Sequence, residues 1–390
     1  MKRWKLSRKT SQRLDAGHVW VYRGEVGAEL TAETLDTVLL VDERGRLLGS
    51  ALVDGASPVP VRLYSRREQA LDADFVASRL NAALDWREKL ALDGSTGYRL
   101  AFSEADGLPG LTIDRFGRGL ALQCNVRNYS GYLDLIVSQI QSRFDSSGGI
   151  DCVVQEVSGE RKLFIGDEEK AKAIYSLNSL EFEADLLNGP KTGAFLDQRE
   201  NYLAAAMWAK RLRIDGRGLD LYSSSGGFAV HLARVLANVD AVESSRSAVT
   251  RIEENARRNH LDNVRAIESD VKQFLRGLGQ ARRQYECVIA DPPAFAKQAR
   301  QKEEATRAYY DLNLRALSAV APSGLFVSCS CSRAVSEYDL LNVIREAAQE
   351  SRKTLILLEK RSQSLDHREV ISIPETSYLK CLFFSVSPSQ

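Results

Sequence analysis

One stretch constrains this chain more than any other: Leu-Asp-Leu-Tyr-Ser-Ser-Ser-Gly-Gly-Phe at 219–228, after which helical character resumes at 229–233. Strand, tight turn and helix in that order form the local shape of a nucleotide-type cofactor site. Glycines let the backbone come close to a ligand, and the unpaired amides of a helix start face it. The strict Gly-x-Gly-x-x-Gly pattern of dinucleotide sites is missing, so the turn alone reads more readily as a plain helix cap. The residues downstream change that reading. An apolar run at 239–242 ends in Glu243, about twenty residues beyond Asp220, where a ribose-binding carboxylate stands at the end of a second strand. A third run at 264–267 leads to Asp270, and a fourth at 285–290 leads into Asp291-Pro292-Pro293-Ala294-Phe295. From about residue 208 strand and helix patterns alternate, which predicts an α/β fold with a doubly wound sheet. Polar residues then gather at the carboxyl ends of its strands, where such sheets bind ligands. Helices are expected over 247–259, 310–320 and 340–348, a strand over 325–328, and two late strands over 354–358 and 379–386. The charge-rich stretch 301–307 fits no element.

A chain of 390 residues suits two or three domains. Residues 1–70 read as a small β-rich domain, 71–188 as an α+β middle domain, and 189–390 as the doubly wound domain. Lys2, Arg3, Lys5, Arg8, Lys9 and Arg13 crowd the start, near Trp20 and Tyr22. Cations beside aromatics suit a nucleic acid, through phosphate contacts and stacking, and they fit equally a solvated start with two core aromatics. The formal net charge is only +1, so a polyanionic partner must be met by a local patch. Six cysteines are scattered, most of them inside apolar runs, which points to reduced thiols in a cytoplasmic protein rather than a disulfide framework. Cys329 and Cys331 lack a second pair, and histidines are few, so no metal site is expected. Neither a signal peptide nor a membrane span is expected, because no long apolar run is present. Glu104 and Asp106, in a stretch punctuated by Gly and Pro, read as turn residues rather than acids or bases.

Taken along the chain, Glu104 to Gly117, Lys191-Thr192-Gly193 with Phe195 to Arg199, Asp220 to Ser223 with Gly226 to Phe228, Asp291 to Phe295, Ser330-Cys331-Ser332 and Tyr378-Leu379-Lys380 form a set. That set resembles the large-subunit ribosomal RNA cytosine-5 methyltransferases of bacteria and archaea, of the methyltransferase I type. The resemblance implies an N-terminal PUA domain that binds RNA, a small middle domain, and a Rossmann-like class I methyltransferase domain using S-adenosylmethionine. It implies that Asp220, Ser223, Ser225, Gly226 and Gly227 hold the methionine end of that cofactor, with Tyr222, Gln198 and Asp291 beside it. Glu243 would hold the ribose hydroxyls and Asp270 the adenine amine. Two departures are small: Ser224-Ser225 stands where Tyr-Thr is more usual, and Glu243 where Asp is.

Carbon 5 of cytosine is a poor nucleophile, and a thiolate added to carbon 6 makes it enamine-like, so covalent catalysis splits one hard step into two. Cys331, aligned with the family's Ser-Cys-Ser, is the expected nucleophile, and Arg333 the candidate for lowering its pKa. Cys329 is expected to be structural. Asp291 is expected to meet the base, with Pro292 stiffening the turn and Phe295 stacking on an extruded cytosine. Arg199 and Lys297, with Arg307 and Tyr309, are candidates for contact with RNA, 23S ribosomal RNA by the resemblance. Enzymes of this kind can pair as homodimers. The rival readings are methylation of an exocyclic or ring nitrogen on guanine or adenine, which needs no thiol, and a non-catalytic RNA-binding module.

Overall fold

The computed structural model describes residues 1–390 except 28, 93, 297–300 and 389–390. Two units divide the chain: Met1–Ser179 with Glu183–Leu196 and Leu365–Thr376, and Leu180–Phe182 with Asp197–Ser364 and Ser377–Gln390.

Strands rich in Val and Leu build the start of the first unit. Leu35–Val41, Leu47–Asp54 and Val61–Ser65 pair antiparallel in that order, Trp20–Val21 joins the last, and Lys2–Lys5 runs parallel to the first. Val38, Leu40, Ala51, Val53 and Val61 share their core with Leu14 of the helix Arg8–Asp15. The basic start therefore holds a strand and a helix that the sequence reading does not anticipate. Ser7 caps that helix by accepting from the Thr10 amide, while Lys2, Arg3, Lys5, Arg8 and Lys9 stay exposed. Arg13 turns the other way, bonding Glu25 at 2.6 Å with its guanidinium 5.2 Å from the Tyr22 ring. Trp20 donates to Glu104 at 2.8 Å and lies under Arg62, so this aromatic is tied into the fold.

A second sheet runs in the order Glu160–Ile165, Cys152–Val157, Gly119–Cys124, Leu111–Phe116, Gly97–Phe102, and shares a core with helices Ala73–Lys89 and Leu133–Phe144. Its buried charges come in pairs. Arg87 grips Asp106 through two bonds of 2.7 Å, and Arg99 grips Asp114 through two of 2.8 Å. Asp114 also accepts from Thr192 at 2.6 Å. Against the upward push of burial, Arg87 and Arg62 hold Asp106 and Glu104 below the usual carboxylate range. Both acids serve the frame. Leu365–Thr376 packs here as well, with Asp366 accepting from the Arg99 amide and, through its carbonyl, from Arg87.

The second unit is built on a seven-stranded sheet. Its strands in chain order are β1 (Arg217–Leu221), β2 (Asn238–Glu243), β3 (Val264–Glu268), β4 (Tyr285–Ala290), β5 (Val320–Ser330), β6 (Lys353–Arg361) and β7 (Lys380–Pro388). The helices are α1 (Arg199–Arg211), α2 (Gly227–Leu232), α3 (Arg246–Arg258), α4 (Val271–Ala281), α5 (Lys302–Ser318) and α6 (Glu337–Glu350). Across the sheet the order is β3-β2-β1-β4-β5-β7-β6, parallel except for β7, which runs against both β5 and β6. This is the doubly wound architecture the alternation predicts. Strands covered on both faces are apolar throughout: Leu219, Leu221, Val242, Val288, Ala290 and Phe326 are fully buried. Strand order reverses between β1 and β4, the switch point where such sheets open a crevice. There the register sets Leu221 beside both Val242 and Ala290, so Asp220, Glu243 and Asp291 arrive at adjoining strand ends.

Two boundaries differ from expectation. The helix expected from 310 begins at Lys302, so most of the charge-rich stretch 301–307 is its opening turns, where Glu303 and Glu304 favour the positive end of the helix dipole. Strand β5 begins at Val320, the residue at which the sequence reading ends that helix.

Candidate active site

The turn after β1 is held by unusual backbone geometry. Tyr222, Ser224 and Gly226 have φ of +63°, +54° and +84°, a region only glycine enters freely. Ser223 donates its amide to the Val242 carbonyl, Ser224 donates its amide to Glu243 Oε2 at 3.0 Å, and the Ser225 carbonyl accepts from buried Asn255 at 2.8 Å. These ties keep two side-chain-bearing residues left-handed, at a cost on the order of 1 kcal/mol each. Gly227 is needed for another reason. A Cβ there would meet the Tyr202 ring at 2.3 Å, so α1 occupies the space that the sequence reading assigns to a ligand. His231 seals the turn from below by donating from Nδ1 to the Gly227 carbonyl at 2.8 Å, and burial lowers its pKa to about 4, leaving it neutral.

Asp220 is the most unusual group in the crevice. It is 1% exposed, and its Oδ2 accepts from Ser223 Oγ at 2.6 Å and the Ala229 amide at 3.0 Å. Its Oδ1 is buried with no hydrogen-bond partner. Burial, with help from the charges of Asp291 and Glu243, raises its pKa to about 7 against the pull of Ser223 and Ala229. A buried carboxylate oxygen lacking a donor is costly, and a cationic ligand group would relieve it.

Glu243 is more committed than its expected ribose role requires. Its Oε1 accepts from the Ser244 and Ser245 amides at 2.7 and 3.1 Å, while Oε2 holds Ser224. Asp270, exposed, is the N-cap of α4, accepting from the Gln273 amide at 2.9 Å. Each carboxylate thus shapes the chain as well as lining the strand ends.

On the β4 and β5 side, Gln198, just before α1 and 2% exposed, donates to Asp291 Oδ2 at 2.9 Å and accepts from Asn201 at 2.6 Å. The Ser330-Cys331-Ser332 segment leaves the end of β5 pinned by one phenol. Ser330 Oγ donates to the Tyr309 hydroxyl at 2.9 Å, and the same hydroxyl lies 2.9 Å from Ser332 Oγ. Both serines are completely buried, while Cys331 between them is half-buried. Burial pushes the Tyr309 phenol up to about 12 against the pull of its bonds to Ser330 and Ser332, and the charges of Cys331 and Asp291 add to the push. From β7, Lys380 Nζ donates to the Ser332 carbonyl at 2.7 Å. Cys329 faces the core, with its Sγ 3.3 Å from that of Cys381 and burial holding its pKa well above the thiol range. No disulfide joins any of the six cysteines.

Several expected substrate contacts need correction. Tyr309 is fully buried and packs against Phe295 at 4.8 Å between centroids, so it anchors the cysteine segment instead of meeting RNA. Arg199 is 2% exposed and bonds Glu200, so it is a buried anchor at the start of α1 rather than a surface phosphate contact. Of the two prolines, Pro292 is buried and Pro293 exposed. Phe295 is half-buried on Tyr309, Arg307 is exposed and paired with Glu303, and Lys297 lies outside the described residues. Arg333 is exposed, and among the described residues the cation bonded to the cysteine segment is Lys380. The parts Lys380 and Tyr309 play at the cysteine segment escape the sequence reading because nothing local says that β7 and α5 converge on the end of β5. The one available signal is that Lys380 belongs to a stretch already singled out.

Comparison with known proteins fits this architecture. The family described as PUA-like domain matches residues 5–66, and that described as Conserved hypothetical protein 95 matches residues 204–363. Ribosomal RNA large subunit methyltransferase I of Yersinia pseudotuberculosis serotype O:1b is 32% identical over 383 residues, spanning 93% of this chain and 94% of that protein. The chain belongs to the ribosomal RNA large subunit methyltransferase I family. The Yersinia pestis member, from biovar Antiqua, matches it equally, at 32% identity and the same coverage. Among solved structures, one described as a SAM-dependent methyltransferase from Streptococcus mutans superposes with a TM-score of 0.83 at 18% identity, over 99% of this chain and 100% of that one. A second, described as a methyltransferase complexed with SAH, gives the same values. These two share the fold of this family member along its whole length.

Proposed function

We propose that this protein is an S-adenosylmethionine-dependent methyltransferase acting on carbon 5 of a cytosine in 23S ribosomal RNA, through a covalent adduct with Cys331. The observation that carries the reading is that the buried Tyr309 hydroxyl pins the serines on both sides of half-buried Cys331 at the end of β5, in the sheet whose adjoining strand ends carry Asp291 and an Asp220 oxygen that lacks a donor. Family membership supports the RNA substrate and the cofactor. Asp220 with the turn Tyr222 to Gly227 would take the amino acid end of the cofactor, its orphan oxygen accepting from an ammonium, and Glu243 and Asp270 would take the nucleoside, with Gln198 alongside. Bound there, S-adenosylmethionine supplies an electrophilic methyl group.

The residues of the chain do the rest. Cys331 adds through sulfur to carbon 6, moving the π pair onto carbon 5, and departs when the carbon 5 proton is lost. Asp291, oriented by Gln198, meets the Watson–Crick edge of the extruded base and shares the proton that stabilises the adduct. Phe295, packed at a tilt against Tyr309 and half-buried, offers its remaining surface for stacking. The same reading divides the chain at 1–70 for RNA binding, 71–188 as the middle domain and 189–390 for catalysis.

Nucleoside mass spectrometry of large-subunit RNA from cells lacking the protein tests this. Adding back the wild type should restore one 5-methylcytosine, and adding back Cys331→Ser should not. Restoration of a methylated guanine or adenine by both would favour nitrogen methylation, in which Asp291 presents an amine and no thiol is used.

A further inference from the structure

Lys380 reaches the cysteine segment from a strand that the chemistry above does not use. The antiparallel register of β5 and β7 pairs Lys380 with Ser330, the residue before Cys331. Its Nζ bonds the carbonyl of Ser332, the residue after it, at 2.7 Å. The side chain therefore spans the backbone on either side of Cys331. Among the described residues, the other charged or titratable groups of the elements around it have roles of their own. Asp339 of α6 is held by Lys302 at 2.8 Å and takes the Ser336 amide at 2.9 Å as a cap. Tyr309 of α5 is neutral, its phenol raised by burial. Asp291 at the end of β4 is held by Gln198 and disfavours a second negative charge nearby. Arg333 is exposed. Burial pulls the Lys380 pKa down to about 8, and Cys331 and then Asp339 oppose that pull, so the lysine and the cysteine sense one another.

Resting on the covalent reading above, we propose that Lys380 is the positioning residue that arms Cys331, supplying the positive charge that keeps its sulfur as a thiolate. In forming the pair, the S–H bond of Cys331 breaks, its proton passes to the neutral amine of Lys380, and the electron pair stays on sulfur. The ammonium remains anchored on the Ser332 carbonyl while the sulfur is used. A merely structural Lys380, tying β7 to the cysteine segment, would leave the titration of the thiol where it is.

The test is the rate of Cys331 alkylation by iodoacetamide against pH on the full chain, read by peptide mass spectrometry, with Cys331→Ser giving the background from the other cysteines. The wild-type midpoint is expected roughly one to two pH units below the ~8.5 of a free thiol. Lys380→Gln keeps a donor for the carbonyl but no charge, and should raise the midpoint by roughly one to two units, slowing alkylation at pH 7 by about tenfold or more. Lys380→Arg should keep the midpoint low. An unchanged midpoint in Lys380→Gln that still unfolds cooperatively overturns the proposal, and so, with no variant at all, does a wild-type midpoint at or above the ordinary thiol value. Failure of the covalent reading shows elsewhere, as Cys331→Ser that still makes 5-methylcytosine.

Discussion

Asp220 is where the chain sacrifices stability for a site. Its carboxyl is buried with one oxygen lacking a donor, and its pKa is raised to about 7, so folding binds a proton that the unfolded chain gives up near pH 4. Stability from this group is therefore lost as pH rises from about 4 to about 7, and is flat above. Asp220→Asn should raise ligand-free stability at pH 8 by roughly 2–4 kcal/mol in chemical denaturation, while abolishing cofactor binding by calorimetry. Cofactor affinity of the wild type should rise about tenfold per pH unit up to pH 7, because the bound cation demands the ionised form. A flat affinity from pH 5 to 8 would mean that Asp220 does not hold the ammonium. His231 works with the opposite sign: it is neutral at a pKa near 4, so its contribution is present above the unfolded value and lost on acidification. Asp220 was legible from its place at the end of a strand, but the orphan oxygen was not, because only the packing around it reveals which donors are missing.

Strand ends were the most legible elements, since apolar runs stopping at Asp220, Glu243 and Asp291 announce themselves in any open α/β sheet. The opening of α5 was not, because Lys302, Glu303 and Glu304 are exposed and carry no apolar rhythm. Nor could sequence tell that Leu365–Thr376, between β6 and β7, belongs to the first unit, which is a matter of long-range pairing. The two glycines of the β1 turn look equivalent in sequence and are not. Gly226→Ala is expected to cost about 1–2 kcal/mol for its φ of +84°. Gly227→Ala should cost about 1–3 kcal/mol, because the added methyl drives the Tyr202 ring from its place. Urea midpoints measure both, and an unchanged midpoint for Gly227→Ala would show that Tyr202 does not depend on that gap.

For the whole molecule, a net charge of +1 means that RNA must be held by local cations. Lys5, Arg8 and Lys9 are exposed on the first strand and helix of the N-terminal region, within the residues that the PUA-like family matches. Replacing Lys5, Arg8 and Lys9 by Gln should flatten the salt dependence of binding to a large-subunit RNA fragment, by about one unit of slope for each phosphate that is no longer neutralised. An unchanged slope would move the RNA-binding surface off this face. Among the described residues no helix is long and apolar enough to cross a membrane. The central claim concerns a single sulfur, and intact-mass spectrometry of the protein incubated with S-adenosylmethionine and large-subunit RNA containing 5-fluorocytidine tests it most directly. Fluorine on carbon 5 blocks the final elimination, so a stable protein–RNA adduct mapping to Cys331 is predicted, absent from Cys331→Ser. Methylation of natural RNA at full rate by that variant, or an adduct mapping elsewhere, would contradict the account.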